Sequence, residues 1–100
     1  MEIGEFQKLI ERIYFERDSR RGLAGTHMWF CEVVGELTRA LRRHKSDDPQ
    51  GRAALEGEFA DVLAWLSTLA SIAKIDLEEA ARKKYGQGCP RCKATPCACP

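Results

Sequence analysis

Leu55-Glu56-Gly57-Glu58-Phe59-Ala60-Asp61-Val62-Leu63-Ala64-Trp65-Leu66 leads into a segment, Phe59 to Ala73, that is almost entirely apolar around its carboxylates. It reads as a helix heading into a core. Glu58 and Asp61, three residues apart, share one face of that helix. Two carboxylates on a largely buried face repel each other and lose hydration, at a cost on the order of several kcal/mol. A hard divalent cation removes that cost, because Mg²⁺ is held through carboxylate oxygens and also binds substrate phosphates. A second acidic pair, Glu32 and Glu36, lies one helix earlier. The four residues read as an acidic metal site between two helices.

The elements around this stretch are also helical. Ile3, Phe6, Leu9, Ile10, Ile13 and Tyr14 keep helical spacing and predict a first helix from about Ile3 to Asp18. Ser19 to Gly25, with two glycines, reads as a loop. Thr26 is placed to cap a second helix, whose apolar stripe is Phe30, Val33, Val34, Leu37 and Leu41. Its end, Arg42-Arg43-His44-Lys45, suits a helix C-terminus. Asp48-Pro49 is an N-cap and first-turn pair for the third helix, which extends to about Ala73. Asp76 and Glu79 open a short fourth helix that Gly86 terminates. No segment alternates as a strand does, so the expected class is all-α. Trp29, Trp65, Leu66 and Leu69 cannot all face inward in one small protomer. A homodimer or homotetramer completing a four-helix core is the expectation.

One hundred residues make a single small domain with little core to spare. Sixteen basic and 15 acidic residues nearly cancel, which argues against a general nucleic-acid or membrane-surface binder. No apolar run is long enough to span a membrane, and Met1-Glu2-Ile3-Gly4-Glu5 does not read as a secretory signal. A cytoplasmic protein is expected.

The pair of segments Glu32-Val33-Val34-Gly35-Glu36-Leu37 and Glu58-Phe59-Ala60-Asp61-Val62-Leu63 resembles the MazG-type all-α nucleotide pyrophosphohydrolases. Their pattern is Glu-x-x-Glu on one helix and Glu-x-x-Asp on the next. The resemblance runs from about Phe6 to Tyr85, through Ile75-Asp76-Leu77-Glu78-Glu79-Ala80 and Lys83-Lys84-Tyr85. There is one departure. Anchored on Gly35-Glu36, the first glutamate of the motif falls at position 33, where this chain has Val33. At about 100° per residue, Glu32 points further toward solvent than position 33 does, although it stacks one turn from Glu36.

The resemblance implies Mg²⁺-dependent hydrolysis of a nucleoside triphosphate to the monophosphate and pyrophosphate. On that resemblance Glu36, Glu58 and Asp61 carry the catalytic role; Glu32, which matches the non-ligand glutamate before the motif, is the candidate substitute metal ligand after a side-chain swing or small helix rotation. Such chemistry depends on positioning and charge neutralisation more than on a protein nucleophile. Lys83 and Lys84 are the candidates for phosphate contact. Trp29 is the candidate for stacking on the base, with Phe6 and Tyr14 as alternatives. Because of Val33, two other readings stand beside the enzyme: a catalytically weakened nucleotide sensor, and a zinc-knuckle interaction adaptor whose helices only associate.

Cys89-Pro90-Arg91-Cys92 and Cys97-Ala98-Cys99 place four thiols within eleven residues. That spacing suits a closed, structural Zn²⁺ site and not a disulfide framework, with a disordered or oxidisable tail and a thiol redox motif as the alternatives. The expected division is a helical domain over residues 1–86 and a zinc-binding tail over residues 87–100. Cys31, on a helix and distant from the others, is expected to pack as a small apolar side chain. His27 and His44 have no partner at metal spacing and are expected at the surface.

Overall fold

The computed structural model describes residues 1–45 and 47–100. Three helices, α1 (Ile3–Arg43), α2 (Pro49–Ile72) and α3 (Leu77–Tyr85), contain all the regular structure, with no strand among the described residues. The all-α expectation holds, but the count of elements differs. The first two expected helices are one element, broken only at Gly22, whose φ of 84° and ψ of 172° leave the helical region. Glycine alone takes that conformation without steric cost. The break therefore needs one residue, not the seven-residue loop expected over Ser19–Gly25. Thr26 consequently lies inside the second arm and caps nothing. It is fully buried, and its Oγ1 has no hydrogen-bond partner. The carbonyl four residues back, which a helical threonine ordinarily uses, belongs to Gly22 and is turned off the helix by that residue's ψ.

The other helix ends follow local chemistry. Asp48 Oδ1 accepts from Gln50 N (3.1 Å) ahead of Pro49, and Asp76 Oδ1 accepts from Glu79 N (3.0 Å). Gly86 ends α3 with its N–H donating to the Arg82 carbonyl (2.8 Å). α3 is pinned at its acidic first turn, where Glu78 Oε1 accepts from Gly4 N (2.9 Å) and Gln7 Oε1 accepts from Leu77 N (2.9 Å).

Kinking at Gly22 lets both arms of α1 reach α2. The first arm meets the C-terminal half of α2 through polar groups. Gln7 Nε2 donates to Ser71 Oγ (3.1 Å), Ser71 Oγ donates to Glu11 Oε1 (2.7 Å), and Thr68 Oγ1 donates to Asp18 Oδ2 (3.2 Å). The second arm turns Thr26, Phe30, Val33, Leu37 and Ala40 inward, and α2 answers with Leu55, Glu58, Val62, Trp65 and Leu69. Among the described residues, buried apolar side chains number only four, Ile10, Val33, Leu55 and Ala70, against six polar ones: Gln7, Asp18, Thr26, Ser67, Thr68 and Ser71. Large apolar groups such as Ile13, Phe15, Met28, Phe59 and Leu63 remain exposed. The radius of gyration is 16.1 Å, where a compact chain of this length has about 13 Å. One protomer is thus open, its apolar surface only partly covered. No described helix is long and apolar enough to cross a membrane.

Candidate functional site

α2 carries Glu58 on its inward stripe and Asp61 at the edge of that stripe. The burial differs accordingly. Glu58 is half-buried, with Oε2 shielded from solvent and without a hydrogen-bond partner, whereas Asp61 is exposed. A buried carboxylate oxygen with no donor is costly and marks a place for a cation. On the second arm of α1, Glu32 and Glu36 are both exposed, and Val33 is 6 % exposed, packed on the inward stripe. The position where the resemblance expects a ligand is therefore filled by a buried apolar side chain. Among the described residues, Glu32, Glu36, Glu58 and Asp61 do not form a group of three or more oxygens within metal-ligand reach of one another.

Asp61 instead borders a cavity of about 200 Å³ between α1 and α2, with Tyr14, Arg17, Asp18, Arg21, Trp65 and Thr68 around it. Asp18, 5 % exposed, is held by Thr68 and lies 3.3 Å from Arg21 Nη1. That guanidinium nitrogen makes no aligned hydrogen bond, so the contact is an ion pair of opposed charges only. The Arg21 guanidinium also covers the Trp65 ring at 5.1 Å, and Trp65 stacks on Trp29 with centroids 6.2 Å apart and planes 17° from parallel. Trp29 thus has one partner already, and is half exposed. Asp18 and its surroundings were not apparent in the sequence. The only signal was the run of hydroxyls Ser67, Thr68 and Ser71 in an otherwise apolar helix, which calls for polar partners on the facing element. Tyr14, the alternative base stacker, lines the cavity, whereas Phe6 does not border it.

Lys83 and Lys84 are exposed in the last turn of α3, with Lys84 Nζ 5.8 Å from the Tyr85 ring centroid. Two expectations are corrected. Cys31 does not pack in the core; it is exposed, with Sγ 3.7 Å from His27 Nε2 one turn away. His44 is half-buried, with Nδ1 enclosed and unpartnered, and its backbone N–H caps α1 on the Leu41 carbonyl.

The cysteines converge. The Sγ atoms of Cys89, Cys92, Cys97 and Cys99 all lie within 4.8 Å of one another, the one group of metal-ligating side chains found among the described residues. Cys97–Cys89 and Cys89–Cys99 are 3.6 and 3.7 Å apart. The edge of a tetrahedron with metal–sulfur bonds of about 2.3 Å is about 3.8 Å. The turn that gathers them is made by backbone bonds, Lys93 N to Cys89 O (2.7 Å) and Cys89 N to Ala94 O (3.1 Å), with Lys93 at a φ of 62° and Gly88 at 103°. Glycine suits position 88 because of that positive φ and because a Cβ there would sit 3.0 Å from the Ala94 and Lys93 carbonyl oxygens. Backbone N–H groups of Ala98 and Ala94 hold the Cys92 thiol down to about 6, and those of Cys92 and Arg91 lower Cys89. Cys99 is pushed up to about 11 by its thiol hydrogen bonds to Cys97, Cys89 and Cys92. Backbone donors thus favour the thiolate form at Cys92 and Cys89, whereas Cys99 would need a cation to ionise.

A family model for the MazG nucleotide pyrophosphohydrolase domain matches residues 23–93. The match begins just after the Gly22 break and takes in the second arm, α2, α3 and the first two cysteines. Comparison with curated proteins gives no match.

Proposed function

The chain belongs to the MazG nucleotide pyrophosphohydrolase family, and from that premise we propose that it hydrolyses a nucleoside triphosphate to the monophosphate and pyrophosphate. Glu36, Glu58 and Asp61 are the carboxylates that would hold Mg²⁺, with Glu32 as the substitute for the ligand missing at position 33. The observation that carries this reading is the buried, unpartnered Oε2 of Glu58 on the helix that also bears Asp61. A donor set of carboxylates fits a hard cation. Bound there, the ion would neutralise triphosphate oxygens and stabilise the charge that develops as the anhydride breaks. The residues themselves orient a water toward the α-phosphorus and accept its proton as the new P–O bond forms and the bond to the bridging α–β oxygen breaks. Lys83 and Lys84 are assigned to the phosphates, and Trp29 to the base through the ring face not occupied by Trp65.

The exposed apolar side chains and the open shape of the protomer support a homodimer or homotetramer, in which Phe59, Leu63 and Met28 become interior. The cysteine quartet is assigned a structural Zn²⁺, closed by four thiolates and without an open position, so it takes no part in hydrolysis. Residues 1–86 and 87–100 are accordingly read as a catalytic helical unit and an appended knuckle. Buried Val33 favours a second reading, a nucleotide sensor that binds without turnover. Pyrophosphate release measured over a panel of triphosphates with Mg²⁺ decides between them. Turnover that disappears with chelator supports the enzyme. Triphosphate binding without turnover selects the sensor.

A further inference from the structure

Charge is divided unevenly along the chain. Residues 80–100 contain Arg82, Lys83, Lys84, Arg91 and Lys93 and no acid, leaving eleven basic against fifteen acidic residues in the first 79. The near-neutral total hides a basic region. Arg82 is committed to Glu78 and Glu79 at 3.3 and 3.1 Å. Lys83, Lys84, Arg91 and Lys93 have no ion pair among the described residues, and all four are exposed. Basic groups in the last turn of α3 complement the helix dipole, but Arg91 and Lys93 lie beyond the helix and gain nothing from it. Four thiolates around a dication would place negative charge inside the knuckle, while these cations stay on its outside.

The region is also compact. Gly88 N donates to the Tyr85 carbonyl (3.0 Å), and the Lys93 carbonyl lies 3.0 Å from where a Gly88 Cβ would be. The cysteine turn therefore starts directly after α3, one hydrogen-bonded turn from Tyr85. Tyr85 is 61 % exposed and is flanked by Lys84. An exposed aromatic ring beside one unpaired lysine, with two more unpaired cations within the next eight residues, is a combination that single-stranded nucleic acids select: phosphates meet the cations and a base stacks on the ring.

We propose that the surface formed by Lys83, Lys84, Tyr85, Arg91 and Lys93 docks single-stranded nucleic acid, with little sequence preference. The docking is independent of the hydrolase reading. Lys83 and Lys84 are shared with that reading, so the decisive charge changes belong on Arg91 and Lys93. The test is fluorescence anisotropy of short labelled oligo-U and oligo-dT with the zinc-loaded full chain. Four phosphate contacts predict that affinity falls about 50-fold between about 50 and about 200 mM salt. In the double variant Arg91→Gln/Lys93→Asn (asparagine tolerates the positive φ at position 93) that loss should shrink to about sevenfold. Zinc content and helicity should not change. Tyr85→Ala should weaken binding about fivefold or more without altering the salt dependence. No binding up to about 100 μM protein at low salt would overturn the proposal. So would equal binding of polyglutamate, which would point to an acidic protein partner, or insensitivity to both variants. Pyrophosphate release by the double variant should match that of the unaltered chain. Absence of pyrophosphate release in both, with oligonucleotide binding intact, would sink the hydrolase reading and leave this one standing.

Discussion

The cysteine turn and the acidic helices present two kinds of metal chemistry, and only one of them is assembled within the protomer. Cys89, Cys92, Cys97 and Cys99 converge to sulfur separations of 3.6 and 3.7 Å, whereas Glu32, Glu36, Glu58 and Asp61 do not gather within ligand distance. Backbone hydrogen bonds close the turn from Cys89 to Ala94, and all four thiols lie within eleven residues, so little chain entropy opposes their meeting. The acidic set must be brought together across two helices, against mutual repulsion, and by an inter-helix surface with few buried apolar groups. Sites made of neighbours in sequence form from local geometry, while sites made across elements wait for packing and for the ion.

The largest effect expected from this contrast is at α2. Glu58→Gln or Asp61→Asn should lower kcat/KM for Mg²⁺-dependent pyrophosphate release by about a hundredfold or more. Thermal stability without metal should hold or rise, since each change relieves carboxylate repulsion. Near-normal turnover in either variant would remove the acidic helices from the active site.

Next in size is the metal content of the turn. The purified chain should carry about one zinc per protomer, and Cys92→Ala should lose most of it. Binding should weaken as pH falls. Cys92, lowered to about 6, is a thiolate above that pH and takes up a proton below it; Cys99, raised to about 11, must release its proton to the solvent on binding at neutral pH. Apparent affinity therefore rises with pH through the neutral range, most steeply below about 6, as followed by competition with a zinc indicator. A chain truncated after Gly86 should retain its helical circular dichroism and show a raised Michaelis constant more than a lowered kcat. Failure of that truncated chain to fold would show that the turn is integral to the helices.

Asp18→Ala tests the polar seam between the first arm and α2. It strips the partner from Thr68 and leaves Arg21 without its counter-charge, for an expected loss of about 1–3 kcal/mol in denaturant unfolding. An unchanged midpoint would mean that this seam contributes little to holding the arm on α2. The smallest effect is expected at Val33. Val33→Glu should tighten Mg²⁺ dependence or raise activity a few-fold, and Glu32→Ala should then matter less than in the natural background. Equal effects of Glu32→Ala in both backgrounds would show that Glu32 is not the substitute ligand.

The capping residues Asp48 and Asp76, the terminating Gly86 and the cysteine spacing were all legible in the sequence, because each acts on groups within a few residues of itself. So was the helical nature of the acidic segments, through the spacing of Leu55, Val62, Trp65 and Leu69. What the sequence left undetermined concerns faces and partners. The apolar spacing of the first arm pointed to Ile10, Ile13 and Tyr14 as interior; Ile10 is buried, but Ile13 and Tyr14 are exposed and the polar Gln7 and Asp18 are buried instead. The hydroxyls of α2 accept polar partners that no propensity scale registers. A single glycine at a φ of 84° replaced a loop, and that break aims both arms of α1 at the same helix. Tertiary packing alone decided that Glu58 is half-buried while Asp61 and Glu36 face outward, and that Val33 fills the ligand position. Periodicity specifies which residues share a face; which face is buried depends on contacts tens of residues away, whose energies exist only once the helices meet.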